Sequence, residues 1–338
     1  MEIEKSSKIE RENIPEKRIT SPAYLAKVLQ ERGLAPRRAQ GQHFLVDDNI
    51  QGKILRAAAL EETDLVLDIG AGPGALALTM AEQTAGVIAI EQDGGLVELL
   101  RDQAARRGLE RLHIVEGDVR RMDLAEICRE HFGREEGRED EKPSKESPSV
   151  KIVANLPYYL TTPLLFQLLQ GSLPIKLLVI MVQLEAARRM TAEAGQKDYG
   201  TLTLLCRYYA NPQLLFKVPR GVFYPPPAVD SAVVLLDILP RPAVKVASED
   251  LFWHIIKAAF QKRRKTILNA LDGTLGQEKG KVFLGEMLKE AEIDPKRRGE
   301  TLTLEEFAKL AEILYNYNIV LSRKKAVPCS LLVPPEAE

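Results

Sequence analysis

The stretch LDIGAGPGALAL, residues 67–78, decides the fold of this chain. It opens with apolar residues typical of a buried strand, continues with Gly70, Gly72 and Gly74, and ends in an apolar run of helical character. Glycines between a strand and a helix allow a tight turn and let the backbone approach a ligand closely. The spacing also fits the dinucleotide pattern G-x-G-x-x-[GA], with Ala75 in the last place. By itself the stretch predicts a nucleotide-type site without separating a nicotinamide dinucleotide from S-adenosylmethionine.

Apolar runs alternate with amphipathic runs within and after this stretch. The apolar runs are LVLDIG, GVIAIE, LHIVEGD, VKIVAN and IKLLVIMVQ, followed later by LLFKV and DSAVVLLDIL. Continuous apolar runs are typical of strands buried on both faces, and their alternation with helices indicates a parallel sheet that is covered on both sides. We therefore predict an α/β, Rossmann-like fold with a mostly parallel, seven-stranded sheet.

The remaining sequence is arranged around this sheet. The predicted parts are an N-terminal extension with one helix (1–36), the sheet domain (37–240), a charged flexible insertion within it (133–149), a small all-helical domain (241–317) and a tail (318–338). The insertion is rich in charged residues, proline and serine, a composition that does not support a packed core.

The bulk composition narrows the class of protein. The chain of 338 residues has a net charge of −1, so any nucleic-acid-binding surface has to be a local one. Cys128, Cys206 and Cys329 are far apart, which argues against a disulfide framework or a zinc site and fits a reducing compartment. The N-terminus lacks the apolar core of a signal peptide, and no apolar run is long enough to span a bilayer. We predict a cytoplasmic protein that binds neither a membrane nor a metal.

Polar residues stand at the ends of three further predicted strands, at Glu91, Asp118 and Asn155. The carboxyl ends of parallel strands meet at one edge of the sheet, which is where open α/β sheets bind ligands. Glu91 is placed to accept hydrogen bonds from ribose hydroxyls. For Asp118 two interpretations stay open: acceptance from an adenine amino group, or capping of the segment that follows.

The segment VANLPYYLTTP, residues 153–163, is an unusual end for a strand. Pro157 makes the loop stiff, the Asn155 amide offers an acceptor oxygen as well as donors, and Tyr158 offers a flat face for stacking. One interpretation is a holder for a planar molecule with an exocyclic amine. The other is an Asn-Pro turn with Tyr158 packed into the core.

The chain closely resembles the ribosomal RNA adenine dimethyltransferases of the small ribosomal subunit. The motifs that carry the resemblance run from about Gly41 to Leu314, and they are GQHFLVDDNI, LDIGAGPGALAL, VIAIEQD, VEGDV, VANLPYYLTTPLLF, MVQLEAARRM, QKDYGTL, VFYPPPAVDSAVV and FQKRRKTILNAL. The large-subunit enzymes that confer macrolide resistance share the glycine motif and the Asn-x-Pro-aromatic loop, whereas YPPPAVDSAVV and RRKT favour the small-subunit family. The departures are Asp68 where many members have Glu, His43 where many have Asn, and Ala154 where others have Gly.

The resemblance implies a class I S-adenosylmethionine-dependent methyltransferase fold, with S-adenosylmethionine as cofactor, S-adenosylhomocysteine as product and no metal. The implied cofactor-binding residues are His43, Leu45, Gly70, Gly72, Glu91, Asp118 and Asn155. The implied catalytic residues are Asn155, Leu156, Pro157, Tyr158 and Phe223. In this scheme the Asn155 side-chain oxygen and the Leu156 carbonyl hold the hydrogens of the adenine N6, while Tyr158 and Phe223 cover the two faces of the flipped base.

The implied reaction is dimethylation of N6 on two adjacent adenosines in the 3′-terminal hairpin loop of 16S rRNA, by a monomer acting on an assembling 30S subunit. Two alternatives stay open: a large-subunit rRNA dimethyltransferase of the macrolide-resistance type, or a non-catalytic RNA-binding assembly factor on the same fold. The intact glycines and the intact loop at Asn155 argue against a role in binding alone.

Basic runs supply the candidate RNA-binding surface. The predicted RNA-binding residues are Lys262, Arg263, Arg264, Lys265, Arg297 and Arg298, with Lys296 beside them and Arg37 and Arg38 near the N-terminus. Such runs are also typical of ordinary solvated faces. Their clustering in the helical domain of a nearly neutral chain favours a phosphate-binding face.

Overall fold

The computed structural model describes residues 18–37, 41–133, 149–262 and 264–317. The N-terminal 17 residues, most of the predicted insertion (134–148), the predicted tail (318–338), and the basic residues Arg38 and Arg263 lie outside the described residues. Within the described residues, no helix is long and apolar enough to cross a membrane.

A seven-stranded sheet forms the centre of the molecule. Its strands are β2 (Leu65–Ile69), β3 (Gly86–Glu91), β4 (Leu112–Glu116), β5 (Val150–Asn155), β6 (Ile175–Gln183), β7 (Ala210–Val218) and β9 (Ser231–Ile238). They lie in the order β4-β3-β2-β5-β6-β9-β7. Strands β2 to β6 are parallel, and β9 is antiparallel to both of its neighbours, β6 and β7. The mostly parallel, seven-stranded sheet predicted from the apolar runs is confirmed, including the two late strands.

Helices cover both faces of this sheet and form the C-terminal part of the chain. They are α1 (Pro22–Glu31), α2 (Asp48–Ala57), α3 (Ala77–Ala81), α4 (Gly94–Arg107), α5 (Leu124–Phe132), α6 (Thr161–Gln170), α7 (Leu184–Thr191), α8 (Thr201–Tyr209), α9 (Glu249–Gln261), α10 (Ile267–Asp272), α11 (Gly276–Glu290, broken at Gly280) and α12 (Leu304–Asn316). Successive strand residues point to opposite faces, so Val66 belongs to one apolar core and its neighbour Leu67 to the other. The first core also takes in α1 to α4, and the second takes in α5 to α12.

The C-terminal part of the chain is helical, as predicted, and it shares its core with the sheet. The ring centroids of Tyr208 on α8 and Phe252 on α9 are 5.2 Å apart, and the Tyr199 hydroxyl donates to the Leu302 carbonyl at 2.8 Å. One apolar cluster runs without a break from β2 to α12. The boundary between a domain at 37–240 and one at 241–317 stays a prediction.

A two-stranded ribbon, which the sequence did not reveal, brings two distant segments together at the edge of the sheet. Strand β1 (Phe44–Leu45) pairs in antiparallel fashion with β8 (Phe223–Tyr224), and the amide of Val46 donates to the carbonyl of Val222 at 2.8 Å. The ribbon therefore places the loop before β1 beside the proline-rich loop after β8.

Candidate active site

A cavity of about 660 Å³ opens at the carboxyl edge of the parallel strands. It is formed by the loops that follow β2, β3, β4 and β5, together with the residues before the ribbon. The predicted residues that line it are His43, Gly70, Gly72, Glu91, Asp118, Asn155, Leu156, Pro157 and Tyr158.

Two glycines are needed for the shape of this cavity. Both have positive φ, +74° at Gly70 and +55° at Gly72, which side chains of L-residues rarely adopt. A Cβ atom at Gly70 would lie 3.0 Å from the Cδ of Pro157, and one at Gly72 would lie 3.1 Å from the ring of Phe44. The glycines thus let the loop after β5 and the ribbon close in over the end of β2.

The Glu91 carboxylate organises the turn around the cavity. Its Oε2 accepts from the Gly72 amide at 2.9 Å, and its Oε1 accepts from the amides of Gln92 at 2.9 Å and Asp93 at 3.0 Å. Burial raises the pKa of Glu91, while these backbone donors act in the opposite direction. Each carboxylate oxygen can accept two hydrogen bonds, so Oε2 retains acceptor capacity for a further donor.

Asp118 lines the cavity and also caps the turn that follows it. Its Oδ1 accepts from the Arg120 amide at 3.1 Å, and the Arg120 guanidinium contacts both carboxylate oxygens at 2.7–3.2 Å. These hydrogen bonds with Arg120 lower the pKa of Asp118. The side chain is therefore an ionised acceptor, and the two interpretations of Asp118 do not exclude each other.

The amide of Asn155 has a fixed orientation. Its Nδ2 donates to the main-chain carbonyl of His43 at 3.0 Å, whereas its Oδ1 has no hydrogen-bond partner among the described residues. Leu156 follows with its side chain buried and its amide bonded to the Met181 carbonyl at 3.1 Å. The end of β5 thus presents an acceptor oxygen on a firmly held backbone.

Tyr158 is half-buried and is held on two sides. Its ring lies against the His43 ring with centroids 5.6 Å apart and planes at 28°, and its hydroxyl is 2.7 Å from the Oγ of the buried Ser231. Burial raises the pKa of Tyr158. The His43 Nδ1 donates to the Pro225 carbonyl at 2.8 Å, because a carbonyl can only accept. Tyr158 combines both interpretations of its segment: it is packed, and it faces the cavity.

Comparison with known proteins identifies the family of this chain. Residues 34–310 match the family described as ribosomal RNA adenine dimethylase. The chain is a member of the ribosomal RNA adenine dimethylase family. The match covers the sheet, the ribbon and most of the helical part, and it confirms the resemblance inferred from the motifs.

Other members of the dimethylase family are similar over nearly their whole length. The ribosomal RNA small subunit methyltransferase A of Pelotomaculum thermopropionicum is 45% identical over 294 residues, which cover 87% of this chain and 96% of that protein. The protein of the same name from Moorella thermoacetica is 46% identical over 296 residues, which cover 88% and 98%.

Solved structures agree with this membership. A dimethyladenosine transferase from Plasmodium falciparum superposes with a TM-score of 0.63 at 26% identity, covering 82% of this chain and 98% of that one. The 23S rRNA methyltransferase ErmE superposes with a TM-score of 0.57 at 22% identity, covering 80% and 99%, and that likeness concerns the fold alone. The predicted class I methyltransferase fold is confirmed.

Two residues expected at the dimethylase site lie elsewhere. The side chains of Leu45 and Phe223 are 2% and 3% exposed, face each other across the ribbon and do not line the cavity. A cofactor can reach only the main chain at Leu45. The ring of Phe223 belongs to the core beneath the ribbon, so in this conformation it cannot cover a base. Sequence reasoning missed Gln42, Phe44 and Gln92, which do line the cavity.

The two basic runs of this dimethylase lie side by side, because the Ile267 amide donates to the Arg297 carbonyl at 2.6 Å. Lys262, Arg264 and Lys265 are exposed. The prediction that Arg297 binds RNA needs correction, because its guanidinium binds the Glu306 carboxylate and the Thr301 carbonyl. The hydrogen bonds with Glu306 raise the pKa of Arg297. It ties the chain before α12 to that helix and is not available to a phosphate. Arg298 is exposed and lies 4.0 Å from Glu300.

Asp68 is a buried acid beneath the site that the prediction did not include. It is 1% exposed, and its Oδ2 has no partner among the described residues. Burial raises the pKa of Asp68 to about 8, and the charge of Glu91 adds to the rise. At pH 7 the carboxyl is mainly neutral. Because the folded state binds this proton more tightly than the unfolded state, Asp68 contributes its full stabilisation of the fold below the ordinary pKa of Asp. This contribution is lost as the pH rises through about 8.

Proposed function

We propose that this chain uses S-adenosylmethionine to dimethylate N6 of two adjacent adenosines in the 3′-terminal hairpin loop of 16S rRNA. The reaction is placed on an assembling small subunit in the cytoplasm, with the enzyme acting as a monomer. The observation that carries the proposal is the Asn155 amide, whose nitrogen is held by the His43 carbonyl so that its oxygen is the free acceptor at the cavity. The name shared by the relatives, ribosomal RNA small subunit methyltransferase A, supports the small subunit as substrate.

The cavity residues fit the cofactor. The positive φ of Gly70 and Gly72 allows close approach of a ligand to the backbone, Glu91 offers acceptor capacity to ribose hydroxyls, and Asp118 offers an ionised acceptor to an adenine amino group. When bound, S-adenosylmethionine supplies an electrophilic methyl group. Among the described residues, no group of three or more His, Cys, Asp and Glu side chains could hold a metal ion.

The loop after β5 would hold the target base. The lone pair of an adenine N6 is delocalised into the ring, which makes the nitrogen a poor nucleophile. Acceptors at its two hydrogens favour a pyramidal nitrogen, and the Asn155 Oδ1 and the Leu156 carbonyl are the groups available for this. Tyr158 supplies a face for stacking of the flipped base. These residues mainly position the reactants. Because the methyl donor is already reactive, positioning is the main contribution that the enzyme has to make.

Incubation with labelled S-adenosylmethionine and unmodified ribosomal subunits tests the proposal. We expect label in the small subunit, recovered as N6,N6-dimethyladenosine, and none in the large subunit. Label in the large subunit would instead assign the chain to the macrolide-resistance type. Tight binding of small subunits without any transfer of label would identify a non-catalytic assembly factor.

The exposed basic run lies at the same end of the molecule as the cavity. Helix α9 begins at Glu249, which accepts from the hydroxyls of Tyr208 and Tyr209 next to the start of β7, at the amino edge of the parallel strands. Its other end packs near Gly299, next to the Gly195–Glu300 contact that precedes α8. Helix α9 therefore runs towards the carboxyl edge, and RNA bound at Lys262, Arg264 and Lys265 would lie at the edge of the sheet that carries the cavity.

Reversing charge at Arg264 and Lys265 is expected to weaken binding of the small subunit and to reduce the slope of log affinity against log salt by about one per lost phosphate contact. Cofactor binding should be unaffected. Glutamates at Arg241 and Lys245, which are exposed near the end of β9 at the amino edge, form the matched control and should leave the slope unchanged. An unchanged slope in the first variant would mean that this basic run is an ordinary solvated face.

A further inference from the structure

Tyr159 joins three loops of the candidate active site. Its hydroxyl accepts from the Gln92 Nε2 at 3.1 Å, and the Arg120 guanidinium lies 5.9 Å from the centroid of its ring. Arg120 in turn binds the Asp118 carboxylate. Tyr159 itself follows directly after the loop that carries Asn155. A single side chain thus links the base-holding loop to the loops of Glu91 and Asp118.

The order of the strands shows that these contacts join loops on opposite sides of β2. Tyr159 follows β5, whereas Gln92 follows β3 and Arg120 follows β4, and the order of these strands is β4-β3-β2-β5. Neighbouring strands are about 4.8 Å apart, so the link from β5 to β4 spans about 14 Å. Strand β2, whose glycine loop lines the cavity, lies between β3 and β5. The contacts tie together loops that carry cavity-lining residues and are not local packing along one strand.

We infer that Tyr159 is a clasp that closes the cavity over the bound cofactor and has to open each time the cofactor is exchanged. The inference rests on the proposed function, in which the cavity holds S-adenosylmethionine. The two partners of the clasp, Gln92 and Arg120, are exposed, so the link can open without disturbing the core. Tyr159 acts through these partners and is a positioning residue.

Repeated exchange makes such a clasp important for this reaction. Dimethylation of two adenosines uses one methyl group at a time, and each transfer leaves S-adenosylhomocysteine to be replaced. Product release of this kind limits the turnover of many enzymes. The strength of the clasp therefore sets a balance between holding the methyl donor during transfer and releasing the product afterwards.

The test measures dissociation of labelled S-adenosylhomocysteine from the full-length protein. Tyr159→Phe removes only the hydroxyl that binds Gln92, and Gln92→Met removes the same bond from the other side. Each variant should increase the dissociation rate about threefold to tenfold, the range expected for one lost hydrogen bond. The double variant should be no faster than either single variant, because both remove one interaction. Tyr315→Phe, at a 45% exposed tyrosine on α12, is the matched control and should dissociate at the wild-type rate.

Single-turnover methylation of the small subunit at saturating cofactor completes the test, and its rate should fall by less than the dissociation rate rises. Unchanged dissociation in both single variants would overturn the clasp, as would additive effects in the double variant. A single-turnover rate that falls by the same factor as the dissociation rate rises would also overturn it, since Tyr159 would then be part of the base-holding loop. If the wild-type protein binds no S-adenosylhomocysteine, the proposed function itself fails.

Discussion

Changing Asn155 to alanine is expected to lower the single-turnover rate of methyl transfer by orders of magnitude, with subunit binding and the fold nearly intact. The lost group is an oxygen that orients the reacting nitrogen, so its removal acts on the transition state more than on binding. Affinity for the subunit should persist because contacts with phosphates elsewhere provide most of it. Melting temperature, subunit affinity and single-turnover rate, measured on the same preparation, separate these effects.

Asn155→Asp is an instructive companion to this variant. The Asn155 amide donates to the His43 carbonyl at 3.0 Å, and a carboxylate in its place would set two acceptors against each other. We therefore expect the aspartate to lose rate and also some stability, whereas the alanine loses mainly rate. Methylation near the wild-type level in folded Asn155→Ala protein would end the assignment of this side chain as the holder of the base.

The second large effect is expected at Glu91, where alanine should weaken cofactor binding about tenfold to a hundredfold, corresponding to one lost hydrogen bond to a charged group. Subunit binding should change far less. The carboxylate also accepts from the backbone amides of Gly72, Gln92 and Asp93, so this variant should melt at a lower temperature than the wild type. Titration of S-adenosylhomocysteine and of small subunits gives the two affinities.

Glu91→Gln separates the two contributions of this side chain. The glutamine oxygen still accepts from part of the backbone, so its melting temperature should lie between those of the alanine variant and the wild type. Its cofactor affinity should still fall, because the negative charge is gone. If cofactor and subunit affinity decreased together and in proportion to the fraction unfolded, Glu91 would have a structural role only.

Local patterns in the sequence were sufficient to predict the sheet and the polar or glycine residues at the ends of its strands. Continuous apolar runs predicted seven strands, and the rule that parallel strands present their ends at one edge brought Gly70, Glu91, Asp118 and Asn155 together correctly. Each of these predictions depends on the spacing of apolar residues within one segment, or on the position of a residue at the end of that segment. Both can be seen directly in the sequence.

Contacts between distant segments could not be predicted in this way. The ribbon has only two residues in each strand and pairs Leu45 with Phe223 through the main chain, so it leaves no periodic signal. The family resemblance implied that Phe223 covers the base, whereas the ribbon turns its ring into the core. The bond between Tyr158 and Ser231 and the tie between Arg297 and Glu306 depend equally on how separate elements meet.

The fixed orientation of the Asn155 amide has a consequence for how the reaction stops. Because its nitrogen is occupied by His43, the Asn155 amide leaves the lone pairs of its Oδ1 free, and in the proposed function the Leu156 carbonyl adds a second acceptor. Such a surface repels the keto oxygen of guanine or uracil and accepts an amine. Each methyl group removes one N–H, so unmodified adenosine offers two donors, the monomethylated base one and the dimethylated base none. In the proposed function, a dimethylated base therefore keeps only its stacking on Tyr158 and has no N–H left for the two acceptors.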